Sequence, residues 1–410
     1  MRRARLIALA LLLCILAQAV WAGGAEHSGV SMDGSWRTFG TVTEYPEIFG
    51  MGRDAEMESR VRVRLTPADA GAVYWEVAWE AALLWRDHGG APGSTLGGST
   101  AGAYRVSDPD ETVLPRHPVG TENVYVLQNL DRASVRVEAG PADFTIGRQA
   151  IAFGAAHVVN PTDVLAPRAF TTLAAEERRG VDAARVRYAT GPMSGFDAGV
   201  VLGPDADMRE GAAFLRYHAN SGGADVTGTL MEFRENLLVG VDMARSLGGA
   251  SVWVEAAHVH AGAAGGTRTP EHDYSAYSVG ADYALADGLY GSLEYHMNGA
   301  GGGEPGAYLL RVGQTAYTEA GVYLLGRHYL APMLTYEVTG LVQAGVQAVV
   351  NLGDRSALLA PSVEYNAATD VYLGLGCFMG VGHEPSAAGV LQSEFGTYPD
   401  VWYASASLYF

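Results

Sequence analysis

The sequence predicts an all-β fold: a transmembrane antiparallel β-barrel of about eighteen strands, with sixteen as the alternative. Three observations predict it. From Trp36 to Phe410 the chain repeats one unit, roughly ten residues of alternating character followed by turn residues. After residue 22, no apolar run reaches the 18 or so residues that a membrane helix needs. The chain then ends on "VWYASASLYF". There Trp402, Ala404, Ala406, Leu408 and Phe410 share one parity, and Tyr403, Ser405, Ser407 and Tyr409 share the other. A closed barrel is the one non-helical structure that can span lipid, because closure pairs every backbone N–H and C=O.

The first element is an export signal. Arg2, Arg3 and Arg5 precede the apolar run "LIALALLLCILAQAV", and "VWA" supplies small residues for cleavage, so the mature chain is expected to start near Gly23. Residues 1–22 form the signal, 23–35 an N-terminal periplasmic segment and 36–410 the barrel. Loss of those three arginines takes the formal charge from −18 to −21, which argues against a nucleic-acid partner. All 27 basic residues are arginine. Cys377 is the single cysteine after the signal, so there is no intramolecular disulfide, and no CxxCH haem site exists.

The strands follow. "SRVRVRL" sets Val61, Val63 and Leu65 against Arg60, Arg62 and Arg64. "VYWEVAWEAALL" sets Trp75, Val77 and Trp79 against Glu76 and Glu80. "NLLVGVDMA" sets Val239 and Val241 against Asp242, and "GLYGSLEYHM" sets Leu293 and Tyr295 against Glu294 and His296. The turns alternate in length. Short ones fall at 66–71, 139–143, 189–195, 219–223, 246–250, 285–288 and 366–370; long ones fall at 86–121, 154–178, 261–272, 299–325 and 383–397. Short periplasmic turns and long extracellular loops fit such a barrel, and two periplasmic ends make the strand number even. Parity is met when "AYTEAGVYLLG" belongs to the 299–325 loop. Candidates for the interfacial aromatic girdles are Trp75, Trp79, Tyr283, Tyr295 and Trp402.

The polar parity of each strand is expected to line the lumen. Early strands bring Arg60, Arg62, Arg64, Arg132, Arg136, Arg185, Arg187 and Arg216, with Glu76 and Glu80 beside them. Later strands bring Asp242, Asp282, Glu294 and Glu364. A basic wall facing an acidic wall would set a field across the pore. Cross-strand ion pairs that merely fill the wall are the alternative reading. Arg148 shares parity with Phe144 and Ile146, unless a bulge at Gly147 turns it inward.

"FTIGRQAIAFGAAHVVNPTDVLAP" (144–167) resembles a motif of porin-like outer-membrane β-barrel proteins of Gram-negative bacteria, similar in plan to alginate-export-type porins. Gly147, Arg148, Gln149, Gly154, Asn160, Pro161, Thr162 and Asp163 carry the resemblance, with Phe153 where Trp is usual. It implies a pore-forming barrel. Asn160 and Pro161 start a turn, and "PTDVL" can form one helical turn. This is the third outward loop, which in general porins narrows the barrel. Its Asn160, Asp163, Glu176, Glu177, Arg178 and Arg179 could line a constriction, or its charges could meet water as a surface Ω-loop.

Catalysis finds little support. His258 and His260 in "AHVH" share a strand face at a spacing that can ligate metal, but no third ligand is evident. In "EHDY", His272 and Asp273 are adjacent and would point to opposite faces. No serine-centred nucleophile motif accompanies either. The expectation is therefore an outer-membrane channel for small hydrophilic solutes, without cofactor or metal. Its partners are outer-membrane lipid and the barrel-assembly machinery, reached through the strand ending at Phe410. Two other classes are a conduit sheathing a partner such as a multihaem cytochrome, and an outer-membrane hydrolase. The solute and the oligomer are not legible.

Overall fold

The computed structural model describes residues 29–410 apart from 47–49, 51, 70, 88–103, 109–111, 115–122, 168, 171–177, 267 and 387. The expected signal (1–22), Glu176 and Glu177 lie outside the described residues. The chain lays down β1 (Val30–Glu44), β2 (Arg53–Pro67), β3 (Val73–Arg86), the short β4 (Thr112–Leu114), β5 (Val124–Ala139) and β6 (Ala142–Ala150). It continues with β7 (Gly180–Gly191), β8 (Ser194–Val201), β9 (Ala212–Ser221), β10 (Ala224–Phe233), β11 (Asn236–Leu247) and β12 (Ala250–His260). Then come β13 (Tyr274–Ala286), β14 (Leu289–Asn298), β15 (His328–Thr339), β16 (Val342–Asn351), β17 (Ala357–Ala368), β18 (Val371–Val381) and β19 (Asp400–Tyr409).

Every ladder is antiparallel, and β1 pairs with both β2 and β19, which closes the sheet. β4 lies outside the ring, attached to β5, so eighteen strands form the barrel. The expected strand number and parity hold. "AYTEAGVYLLG" lies between β14 and β15, in a connection that carries two short helices, Tyr308–Arg311 and Thr315–Thr318. None of the described helices is long and apolar enough to cross a membrane.

The two ends differ as the turn lengths predict. At one end the hairpins are tight, as at 222–223, 248–249 and 340–341. At the other stand the connections 87–123, 151–179, 261–273, 299–327 and 382–399. One hairpin at the long-loop end is also tight. Arg234 (φ 45°) and Glu235 (φ 66°) form a two-residue turn between β10 and β11 without the glycine such a turn favours. Contacts from other loops hold that strained turn: the Arg234 guanidinium lies over the Tyr104 ring, and the Glu235 carbonyl accepts from Ala264 N–H.

Register fixes the faces, because residues paired across a ladder point the same way. Trp36 sits opposite Val61 and Leu408, and Leu293 opposite Ala281 and Pro332. This parity leaves Leu230, Val239, Leu293, Leu334, Leu375 and Trp402 each more than two-fifths exposed around the circumference. These residues form an apolar band around the barrel, the kind of surface that facing hydrocarbon requires. Cys377 shares that parity but is covered by its neighbours (4% exposed).

The opposite parity encloses a second kind of packing. Phe153, Val164 and Leu165 of the 151–179 loop pack on inward Met231, Phe233, Leu238 and Val259. Leu324 and Phe395, from the 299–327 and 382–399 loops, pack on inward Tyr329, Val349, Leu358 and Phe378. Loops thus fill part of the barrel interior at the long-loop end.

Candidate functional site

The site is built where the 151–179 loop crosses the interior. It leaves β6, passes five staves (β7 to β11) and reaches the inner wall at β12 and β14. Two inward carboxylates receive it there. Glu255 on β12 accepts from Ala156 N–H (2.9 Å), Thr162 N–H (2.8 Å), Thr162 Oγ1 (2.8 Å) and Asn160 Nδ2 (3.1 Å). Glu294 on β14 accepts from the N–H groups of His157 (2.8 Å), Val158 (3.2 Å) and Val159 (3.0 Å), and from Trp253 Nε1 (2.8 Å). Both carboxylates are fully buried (0% and 1% exposed). The His157 ring stacks on Trp253 with centroids 3.7 Å apart, and Ser278 Oγ donates to the Val159 carbonyl. Irregular backbone inside a barrel must find partners away from strand ladders, and these two acids supply them.

The sequence is shaped for this contact. Gly154 has φ +100°, and a Cβ there would lie 2.3 Å from a Glu255 carboxylate oxygen. Asn160 to Asp163 form a turn, closed by Asp163 N–H to the Asn160 carbonyl, so the expected helical turn is replaced by a β-turn. The tie of Thr162 and Asn160 to Glu255 competes with helix formation. Residues 153–165 lie against inward residues of β9 to β12 and β14.

The sequence-derived candidates divide accordingly. Asn160 sits at the Glu255 contact, and Asp163 pairs with Arg178 (2.9 Å), which also donates to the Ala166 carbonyl. Arg179 is exposed. Glu294 faces inward as expected but, contrary to the expectation that it lines the lumen, lies beneath the loop and does not meet open water.

The arginines face inward and are paired. Arg60 meets Glu58 (2.6 Å) and Glu80 (3.6 Å); Arg62 meets Glu80 (2.8 Å) and Asp131 (2.7 Å). Arg64 meets Asp33, Arg132 meets Asp131, Arg136 meets Glu138, Arg185 meets Asp197, Arg187 meets Asp143 and Arg216 meets Asp242. Glu76 faces the same way, opposite Ser134. The inward arginines thus form a lattice of ion pairs, and basic and acidic residues are unevenly spread around the wall. From β10 to β19 no described residue on the inward parity is an arginine, while Asp242, Asp282, Glu337 and Glu364 all lie there. Water reaches the arginines unevenly: Arg64 and Arg187 are nearly half exposed, whereas Arg62 and Arg132 are 8% exposed.

Several residues escaped the sequence. Glu255 sits on a strand whose other parity carries His258 and His260, so polarity alone does not single it out as an inward residue. Asp131 and Arg132 are neighbours that meet in one buried cluster, because a register shift between Ala78 and Trp79 leaves Asp131 as an extra residue. Arg148 keeps the register of Ile146 through an unbroken ladder and is neutralised by Asp182 (2.8 Å) and Asp108 (2.6 Å). Gly147 (φ +112°) is required for close approach, since a Cβ would lie 2.2 Å from the Ala133 carbonyl oxygen.

A third buried carboxylate clamps two further loops. Glu394, in the 382–399 loop, accepts from Leu325 N–H (2.8 Å) and Asn351 Nδ2 (2.8 Å), and Tyr329 Oη donates to it. Burial raises its pKa above the ordinary glutamate value. The folded loop therefore holds its proton more tightly than an undocked loop does, and docking weakens as pH rises from the ordinary glutamate range through the raised value. Protection factors of the 382–399 amides, referred to the intrinsic base-catalysed rate, should fall over that rise in the native protein and stay flat in Glu394→Gln. An equal pH response in both would remove Glu394 from this role.

Comparison with solved structures follows the same architecture. No protein-family model matches the chain, and no curated protein matches it in sequence. The Pseudomonas aeruginosa protein OccK5 (OpdH) superposes with a TM-score of 0.56 at 10% identity, over 93% of this chain and 98% of that one. Acinetobacter baumannii OccAB1 does so with 0.56 at 9%, over 94% and 98%. Pseudomonas aeruginosa OpdK, solved with vanillate, gives 0.53 at 10%, over 93% and 98%. At such identities the likeness is one of fold, and it spans nearly the whole of each chain.

Proposed function

We propose that this protein is a porin-like outer-membrane channel through which small hydrophilic solutes diffuse, with charge selection at its inner wall. The observation that carries the reading is the crossing loop: 153–165 is tied by Glu255 and Glu294 to the wall of a closed, apolar-belted barrel. A loop held across a lumen narrows it without closing the ring of strands, which is how a pore gains selectivity. Water-exposed Arg64, Arg136 and Arg187 on one side, and arginine-free acidic strands on the other, orient a dipolar or anionic solute. OpdK bound to vanillate, an organic carboxylate, supports small organic anions as the class to try first. The export signal, the lipid contacts and recognition of the strand ending at Phe410 by the assembly machinery belong to this proposal. So does the kinship with alginate-export-type porins. The packed interior counts against a sheath around a partner such as a multihaem cytochrome, which needs a wide empty lumen.

Liposome swelling tests it. Proteoliposomes should admit small aromatic and aliphatic carboxylates faster than neutral sugars of similar size. Vesicles that stay as tight as protein-free ones to every solute would defeat the channel reading.

A further inference from the structure

The pair His258 and His260, left without a third ligand by the sequence, acquires one in the fold. Both lie on the outward parity of β12 near its long-loop end, with ring centroids 4.4 Å apart. The 261–273 connection returns Asp273 to them immediately before β13, with its carboxylate 3.5 Å from His260 Nδ1. The ligand atoms of the three side chains lie within 4.8 Å of one another. Two imidazoles and a carboxylate are the donor set that borderline divalent metals prefer.

The surroundings already favour positive charge. Arg268 forms a two-pronged ion pair with Asp273, and its Nη2 stands 3.5 Å from His260 Nδ1. His260 Nδ1 also stands 3.5 Å from Asp273 Oδ2, so this ring nitrogen is directed at the cluster. His258 Nδ1 lies 2.7 Å from Ser275 Oγ, and Ala261 N–H donates to Asp273 Oδ1 (2.9 Å), which hold two of the three groups in place. The hydrogen bonds from Arg268 hold the Asp273 carboxyl well below the usual carboxylate range, so it stays an anion. His260 and Asp273 remain open to solvent (40% and 20%).

We propose that His258, His260 and Asp273 form a site for a divalent transition-metal ion of the Zn²⁺ or Cu²⁺ type at the outer rim, which Arg268 occupies in the metal-free protein. Binding exchanges one cation for another: the metal takes both imidazoles and one carboxylate oxygen, Arg268 swings to solvent, and water completes the coordination. The 261–273 loop is then fastened to β12 at the lipid-facing edge, independent of the pore.

The test uses the mature barrel in detergent without a polyhistidine tag. Zn²⁺ titration calorimetry measures affinity, and the electron paramagnetic resonance spectrum of bound Cu²⁺ reports nitrogen ligands. One saturable site with two nitrogen donors is expected. His258→Asn and His260→Asn should each weaken Zn²⁺ binding about tenfold or more, and Asp273→Asn about threefold or more. Arg268→Gln should tighten it by about threefold, because it removes the resident cation. No saturable binding below about 1 mM Zn²⁺ would overturn the site. So would affinity untouched by Asp273→Asn and Arg268→Gln, which would leave a bare histidine pair. Unchanged heat-dependent gel migration of each variant shows that the barrel is intact.

Discussion

Replacing Glu255 and Glu294 together with alanine is expected to raise single-channel conductance by about twofold or more and to make the open level noisy. The two carboxylates accept from five backbone N–H groups, one hydroxyl and two side-chain N–H groups, and all the backbone donors belong to one loop. Hydrogen bonds to a charged acceptor contribute roughly 1.5–3 kcal/mol each, and the loop amides would be left buried without partners. Leaving the wall is then the cheaper arrangement for the loop. Because the strand ladders make no use of these side chains, the barrel itself should persist, with unchanged heat-dependent migration on gels. Glu255→Gln should fall between, since its amide offers one acceptor oxygen where the carboxylate offers two. Planar-bilayer recording decides the matter. A double variant with native conductance would mean that the loop does not set the size of the passage.

The second large effect concerns the arginine strand. Arg60→Gln with Arg64→Gln removes two positive charges that are 29% and 47% exposed to the interior. Reversal potentials in a salt gradient should move toward cations, with the permeability ratio changing by about twofold at low ionic strength and less at high salt. Arg62 should behave differently. It is 8% exposed and bridges Glu80 and Asp131. Its loss strands two acids in a covered cluster, so Arg62→Gln is expected to destabilise by about 3–5 kcal/mol while shifting selectivity little. Thermal unfolding and reversal potential measured on the same variants separate the two roles. Equal selectivity shifts from Arg62 and Arg64 would contradict the exposure argument.

Much of this architecture was legible because a barrel repeats one rule. Alternation in "SRVRVRL" or "NLLVGVDMA" gave the correct face in each case, and Arg60, Arg62, Arg64 and Asp242 are inward. Even parity placed "AYTEAGVYLLG" in a loop, which the structure repeats. The rule failed where polarity and direction part company. On β12 the outward face carries His258 and His260 while the inward face carries Trp253, Glu255, Ala257 and Val259, so the more polar parity is the lipid side near the rim. Inward apolar residues there serve a loop core, a second hydrophobic environment that alternation cannot distinguish from lipid. Asp131 was hidden by a one-residue register shift, and Glu294 by a loop whose path no local pattern records. Pairing of individual arginines likewise depends on register between strands far apart in sequence, as with Arg62 and Asp131.

Thiol labelling on neighbouring positions of one strand tests the central geometry most directly. In a Cys377→Ala background, Gln347→Cys lies on the inward parity of β16 and Val346→Cys on the outward one. In proteoliposomes, a charged membrane-impermeant maleimide should modify position 347 quickly and leave 346 untouched, while a lipid-soluble reagent should reverse the order. Equal labelling of both by the charged reagent, or labelling of 346 alone, would contradict a barrel with water inside and hydrocarbon outside.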